Sequence, residues 1–495
     1  MAATRRVWLA GLLCAALGGC YALRPSDGGG MTDFEPPRRF EPVDVALPEA
    51  YRIELVAEGL TFPTGVTFDD HGSVYVVEAG YSYGEMFLTP RLLQVEPDGR
   101  TVEVARGDDN GPWTGAAWRD GAFYVAEGGV RRGGRILRVE PGGRMQALAE
   151  GLPSMGDHHT NGVVFGPDGW LYFAVGTATN SAVVGPDNHD FGWLERQPEF
   201  RDTPCRDVTL AGVNYESADP LSGAEEPAVT GAFKPFGTPS RAGEVVSGKL
   251  PCNGAVFRVA PEGGTPELVA WGFRNPFGLA FLDGELYVTD NAYDRRGSRP
   301  IFGAGDLLWR VERGAWHGWP DFHGQTPLDQ GELYVGPGMA PVRRVLAAPP
   351  NRPPRPAAIL GVHSSSNGMD AARSPAFGHV GELFVAQFGD QAPVTGKVWD
   401  PVGFRVVRVD PASGVITPFA ANRDGEGPAS HLGGGGLERP ISVRFDPQGE
   451  ALYVVDFGVL LMSERGSDPR PGTGALWRIV RDDTRAAGAS SEISR

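Results

Sequence analysis

Lysine is nearly missing from this sequence: there are three in 495 residues, at Lys234, Lys249 and Lys397. No window joins basic to aromatic residues, and the formal charge is −16. That balance excludes nucleic acid and anionic membrane surfaces as partners. No Cys-x-x-Cys-His occurs, so the chain attaches no c-type haem of its own. No apolar run is long enough to span a bilayer, and a hydrophobic content of 41% is ordinary, which excludes a polytopic membrane protein and a disordered one.

What is abundant is Gly (71) and Pro (43), without any collagen-like period, as expected of many tight turns in an all-β chain. The front reads differently. Arg5 and Arg6 precede an apolar stretch, Val7 to Leu17, that ends in Leu17-Gly18-Gly19-Cys20. This resembles a bacterial lipobox, so residues 1–19 are expected to be a lipoprotein signal peptide, Cys20 to carry lipid, and residues 20–50 to be a tether in the cell envelope. A plain cleaved signal peptide is the alternative. With Cys14 removed and Cys20 lipidated, Cys205 and Cys252 remain as an even pair in an oxidising compartment, where a disulfide is expected over two buried thiols.

A short pattern returns six times: an apolar or aromatic residue, a turn with Gly, then a strand with Tyr or Phe. It runs Phe68 to Tyr75, Trp118 to Tyr124, Phe165 to Tyr172, Phe281 to Tyr287, Gly381 to Phe384 and Phe445 to Tyr453. A second pattern follows each, from Leu92-Leu-Gln-Val95 through Leu308-Trp-Arg-Val311 to Leu476-Trp-Arg-Ile479. Paired motifs of this kind predict a six-bladed β-propeller over residues 51–482, followed by a disordered tail, 483–495. The last unit lacks a fourth strand, and Tyr51 to Leu60 matches that pattern, so the N-terminal strand is expected to close the ring. Tyr75, Tyr124 and Tyr172 are 49 and 48 residues apart, but Tyr172 to Tyr287 is 115 and Tyr287 to Phe384 is 97. Two insertions are therefore expected, about Asn180 to Cys252 and His317 to Pro356, as lids or binding loops.

In a propeller the segments leading into the innermost strands converge at one mouth of the central channel. Here they carry Thr64, Thr114, His158, His159, Asn161, Arg274, Asn275, His363, Asn367 and Arg439, with Glu438 as their one acid. Such a mouth suits an anionic ligand with a base beside it: histidine is the usual base near neutrality, and arginine binds carboxylates in bidentate fashion. His158 and His159 each have an equal structural reading as satisfied histidines. Arg274 either reaches a ligand or pairs with Asp290 or Asp294.

The runs Asp157 to Gly176 and Gly272 to Phe281, with Gly318-Trp319-Pro320, resemble the glucose/sorbosone dehydrogenase family, and the similarity spans about Tyr51 to Asp482. The resemblance implies a six-bladed fold and periplasmic oxidation of a sugar, aldose or polyol with pyrroloquinoline quinone (PQQ) and calcium. It implies His158 as catalytic base, with His159 the near alternative, and Arg274 as a catalytic and cofactor-binding group beside Asn275. It further implies Arg439 on the cofactor and calcium held by the carbonyls of about Asn291 and Ala292. Lys397 lies near, without aligning to, the lysine of the glucose-oxidising branch; Asn161-Gly162 and the segment 291–297 are nearer the sorbosone branch. Electrons would leave to a separate periplasmic acceptor. Two rivals stand beside this reading: a calcium-dependent lactonase, which needs carboxylates at the axis, and a surface propeller that binds carbohydrate without catalysis.

Overall fold

The computed structural model describes residues 34–482 apart from 83–85, 224–225, 392–400 and 464–465. The signal segment, Cys20, Lys397 and the tail 483–495 lie outside the described residues. Six antiparallel four-stranded sheets stand around an axis. Blade 1 runs outward from Pro63–Phe68, blade 2 from Trp113–Arg119 and blade 3 from Thr160–Phe165. Blade 4 starts at Asn275–Leu282, blade 5 at Ser366–Ala371 and blade 6 at Pro440–Phe445, so the chain is a six-bladed β-propeller. In blade 6 the outermost strand is Tyr51–Leu60, paired antiparallel with Gly474–Arg481.

The repeated aromatics are the cement between blades. Each blade's Tyr or Phe meets the first-strand aromatic of the next: Tyr75 with Trp118 (6.5 Å between ring centroids), Tyr124 with Phe165 (4.9 Å) and Tyr172 with Phe281 (5.1 Å). Phe384 meets Phe445 (5.4 Å), and Tyr453 meets Phe68 (5.0 Å) across the closure. Between blades 4 and 5 Tyr287 packs with Met369 and Ala371 instead, which is why the fifth sequence copy looks degenerate.

Near the axis the limit is space. A Cβ on Gly65 would come within 3.1 Å of the Gly115 Cα, and one on Gly278 within 3.0 Å of the Gly368 Cα, so neighbouring inner strands touch backbone to backbone. Side chains then stitch the ring: Thr64 Oγ1 donates to the Trp113 carbonyl (2.7 Å), Thr114 Oγ1 to that of Thr160 (2.9 Å) and Thr289 Oγ1 to that of Asn367 (2.7 Å).

The expected tether is too long at its C-terminal end. Val45–Ala46 adds a fifth strand to blade 5 by pairing with Asn422 and Ala421. Arg38 is buried, donating to Asp456 Oδ2 (2.6 Å) and to the carbonyls of Thr473 (2.7 Å) and Gly436 (2.8 Å). Its charge answers that of Asp456, and neither side chain could stay dry alone; a Gly- and Pro-rich composition did not reveal one anchoring arginine. Residues 38–50 therefore belong to the propeller.

Both insertions are built. The first carries two hairpins, Val208–Ala211 with Ala242–Val246 and Asn214–Ser217 with Ala228–Gly231. Cys205 and Cys252 form a disulfide at its base, with their Cα atoms 5.0 Å apart. The second insertion buttresses the first: Leu346 bridges Leu210, and buried Arg299 of blade 4 links them by pairing with Asp321 (2.8 Å) and donating to the Ser181 carbonyl (3.0 Å).

Arg38→Ala should lower stability by roughly 3–5 kcal/mol, because it strands a buried carboxylate. Urea unfolding monitored by tryptophan fluorescence measures this, and an unchanged midpoint would show that the clamp is idle.

Candidate active site

The mouth segments and the first insertion enclose a cavity of about 680 Å³, within the usual range for small-molecule sites. His158, His159, Asn161, Arg274, Asn275, Asn291, Ala292 and His363 all line it. Of the second insertion, expected as a lid, no described residue does.

His158 sits where blade 3 begins. Its backbone N–H donates to the Thr177 carbonyl (3.2 Å), and its Nδ1 lies 2.9 Å from that carbonyl and 3.0 Å from Thr177 Oγ1. The Thr177 hydroxyl spends its only proton on the Thr179 carbonyl (2.7 Å). Both neighbours of Nδ1 are therefore acceptors, so Nδ1 carries the proton and Nε2 holds the lone pair. Nε2 has no hydrogen bond among the described residues and is not sealed off. Burial, then the fields of Arg274 and Arg296, push the His158 pKa well below the usual imidazole range. Gly176 makes the fit possible: a Cβ there would lie 2.3 Å from the His158 Cβ. His159 also lines the cavity. Its Nδ1 is 3.2 Å from the Ser154 carbonyl, its ring meets Trp193 edge-on at 6.5 Å, and burial lowers its pKa to about 4.

Arg274 combines both sequence readings. Its guanidinium lines the cavity yet pairs with Asp294 (2.5 Å), and it donates to Asn180 Oδ1 (3.1 Å) and to the Asn291 carbonyl (3.3 Å). Asn275 is locked between Asn161, which donates to its Oδ1 (3.0 Å), and Asn291 Oδ1, which accepts from its Nδ2 (2.9 Å). The Asn291 carbonyl, expected to hold calcium, thus accepts from Arg274 and keeps a second lone pair. Beside it on that wall stand the Ala292 carbonyl and Asp306, whose Oδ1 accepts the Ala292 N–H (3.0 Å) and whose Oδ2 accepts Ser364 Oγ (2.8 Å) and the Ser366 N–H (2.8 Å).

Arg439 is a correction. It is 1% exposed and does not line the cavity. It lies between the rings of Phe388 (5.0 Å) and Phe404 (4.9 Å) and donates to the Asp390 carbonyl (3.1 Å). The guanidinium is used to fasten the loops of blades 5 and 6. Glu438, the one acid expected at the mouth, also turns away, to Ser430.

The acids come instead from loops beyond the inner strands. Arg296 is held by Asp157 (2.7 Å), Asp187 (2.6 Å) and Asp294 (3.1 Å), which joins blade 3, the insertion and blade 4 in one buried cluster. His363 Nδ1 lies 3.6 Å from Asp294 Oδ1, on a turn where His363 (φ 55°) and Ser365 (φ 48°) take left-handed backbone. Opposite stand Trp193 and Arg196 of the insertion. Arg196 is exposed, stacks on Trp193 (5.2 Å), and has no carboxylate partner among the described residues.

This donor set fits a planar tricarboxylate with a hard cation. Phe277, Ile441 and Phe457 give an apolar wall, Arg274 and Arg196 offer guanidinium groups, and the Ala292 carbonyl and Asp306 suit calcium. Asp157, Asp187, Asp294, Arg296 and Arg196 carried no repeat or spacing signal. Asp157, Asp294 and Arg296 fall inside the quoted motifs, but their pairing is a tertiary fact.

At pH 6.5, where an ordinary imidazole is half protonated, His158 should still be neutral and Nδ1-protonated. Because its folded pKa lies below the unfolded value, the stability linked to its neutrality is complete above pH 6.5 and fades as pH falls below it. Two-bond ¹H–¹⁵N correlation spectra follow the titration, and a midpoint at or above 6.5 would contradict the assigned environment.

No protein-family model matches the sequence, and no curated protein does. Solved structures do match. The holo PQQ domain of pyranose dehydrogenase from Coprinopsis cinerea is 16% identical, covers 90% of this chain and 98% of its own, and has a TM-score of 0.52. The calcium structure of a Trichoderma reesei carbohydrate-active enzyme of family AA12 is 15% identical over 91% and 99%, with a TM-score of 0.51. PQQ-bound aldose sugar dehydrogenase from Streptomyces coelicolor is 18% identical over 88% and 99%, at 0.48. At these identities the likeness is one of fold alone.

Proposed function

We propose that this protein is a PQQ-dependent oxidoreductase acting on a sugar or polyol hydroxyl. The observation that carries it is His158: a neutral histidine with its tautomer fixed by two acceptors and its Nε2 open to a cavity shared with Arg274. An alcohol oxidation needs a base for the hydroxyl proton, and that lone pair is available at neutral pH. When bound, PQQ with calcium supplies the hydride acceptor. Arg274 and Asn275 hold the cofactor from blade 4 in positions fixed by Asp294, Asn180 and Asn161, so neither has to be ordered on binding. Arg196 reaches a carboxylate from the insertion side. The first insertion roofs the cavity and excludes water from the reacting hydroxyl.

The lactonase reading requires carboxylates free to hold a metal. Carboxylates do line the cavity, but Asp157, Asp187 and Asp294 are committed to arginines and Asp306 to backbone and serine donors, which leaves exposed Asp190 as the one other carboxylate on the described lining. The reading as an envelope enzyme, anchored through Cys20 and passing electrons to a separate periplasmic carrier, belongs to the same proposal. A Cys20→Ser variant should then move from the membrane fraction to the soluble one.

Titrating purified protein with PQQ and calcium, followed by absorbance, should show saturable binding at micromolar cofactor. His158→Asn should retain that binding and lose turnover by roughly 10²–10⁴-fold, while His159→Asn stays active. Absence of cofactor binding, or full turnover in His158→Asn, would sink the proposal.

A further inference from the structure

The first insertion does more than roof the cavity. Asp202 leaves it and reaches under the turn that follows the second strand of blade 3. Its Oδ1 accepts the Ala178 N–H (2.6 Å) and its Oδ2 the Thr179 hydroxyl (2.6 Å). This same turn presents the Thr179 carbonyl to Thr177 Oγ1 (2.7 Å), which in turn faces His158 Nδ1 (3.0 Å). A continuous path therefore runs from a carboxylate on the insertion to the ring nitrogen that sets the tautomer of His158.

The base of the insertion grips the turn from a second side. The Thr203 N–H donates to Asn253 Oδ1 (2.9 Å), and the Asn253 N–H to the Thr203 carbonyl (3.0 Å). Asn253 Nδ2 donates to the carbonyls of Pro153 (2.6 Å) and Gly176 (3.1 Å), one on each side of His158 in sequence. Cys205 and Cys252 close this base, three residues beyond Asp202 and one before Asn253.

Asp202 shares with Asp290 and Asp306 a burial without any ion pair among the described residues. It is 1% exposed; buried Asp294, Asp321 and Asp456, by contrast, each face an arginine. A dry carboxylate without a cation is costly, and an asparagine or serine could fasten a turn at lower cost. Here both oxygens are spent, one on the Ala178 N–H and one on the Thr179 hydroxyl.

We infer that Asp202 is a positioning residue for His158, acting through Thr179 and Thr177, and that the Cys205–Cys252 staple holds it in place. Accepting both donors fixes the turn 177–179 as a whole: the Thr177 carbonyl is held facing Nδ1 (2.9 Å), and Thr177 Oγ1, its proton given to the Thr179 carbonyl, can only accept from Nδ1 as well. Nε2 then keeps its lone pair toward the cavity. The inference deepens the proposed function and rests on it for turnover only, since the tautomer can be read without cofactor or substrate.

The test compares Asp202→Ala, Asp202→Asn and Thr179→Val in the full chain. Two-bond ¹H–¹⁵N spectra of the cofactor-free protein should show a single Nδ1-protonated His158 in the wild type and mixed tautomers in Asp202→Ala and Thr179→Val. With PQQ, calcium and a substrate sugar, kcat should fall by roughly 10- to 100-fold in those two variants with KM within about twofold, and Asp202→Asn should recover part of it. Reducing the disulfide should broaden the His158 signal in the same way. If Asp202→Ala does not fold, Thr179→Val, which removes one hydroxyl, decides. An unchanged tautomer in Thr179→Val or a folded Asp202→Ala would overturn the inference. If the wild type oxidises no sugar, the proposed function fails while the tautomer comparison still decides the role of Asp202.

Discussion

Buried carboxylates at the inner ends of the blades hold the mouth of this propeller in shape. Asp290 Oδ1 accepts the backbone N–H groups of Arg274 (3.0 Å) and Asn275 (2.8 Å), and its Oδ2 the indole of Trp309 (3.2 Å). Asp456 repeats the arrangement for Glu438 (2.9 Å), Arg439 (2.9 Å) and Trp477 (3.4 Å). Glu127 takes side-chain donors instead, the Trp113 indole (3.2 Å) and Asn110 Nδ2 (2.5 Å). At Asp290 and Asp456 the carboxylate closes a sharp turn whose N–H groups would otherwise be buried without acceptors. The cost of desolvation is visible at Asp290, where burial raises the carboxyl to about 7 despite these bonds. Arg38 lowers the same cost at Asp456, so the chain's own N-terminal segment supports the mouth of blade 6.

On this frame the pocket is finished by material from outside the ring. Arg296 gathers three carboxylates from three different segments, and the pairing with Arg274 through Asp294 makes one alternating lattice of charge. Such a lattice contributes geometry more than stability, because each buried ion is costly unless every partner is present. It fixes the guanidinium groups and the insertion relative to His158 before any ligand arrives, which is what a preorganised site requires.

The fold was legible in the sequence because its strongest signal is physical repetition. Tyr75, Tyr124 and Tyr172 recur because each must fill the same gap between blades, and the spacing breaks where the insertions leave. His158, Arg274 and Asn275 were legible because they stand at fixed offsets from those repeats. Arg439 stood at an equally good offset and turned inward, since position in a motif does not say which way a side chain points. Asp202 and Arg196 had no repeat to mark them: they lie on an insertion that belongs to no blade, and only the folded chain brings them to the cavity or to its histidine. The boundary of the tether failed for a similar reason, as Arg38 depends on a partner 418 residues away.

That contrast explains where the recognition of an anion can come from. Of the arginines at or near the mouth, Arg274 and Arg296 are neutralised by aspartates, and Arg439 is enclosed by aromatic rings and carbonyls. A ligand carboxylate meeting Arg274 must share it with Asp294, which weakens the attraction by placing like charges together. Arg196 carries no such debt: it is solvated, oriented by Trp193, and faces no carboxylate among the described residues. Screening by water makes each contact there modest, but it also means the group need not abandon a partner to bind. The ring therefore supplies the base and a rigid cation whose charge is already balanced, and the insertion supplies the cation still available to a ligand. For the anionic cofactor proposed above, the cation without a carboxylate partner among the described residues is therefore contributed by the insertion and not by the six blades.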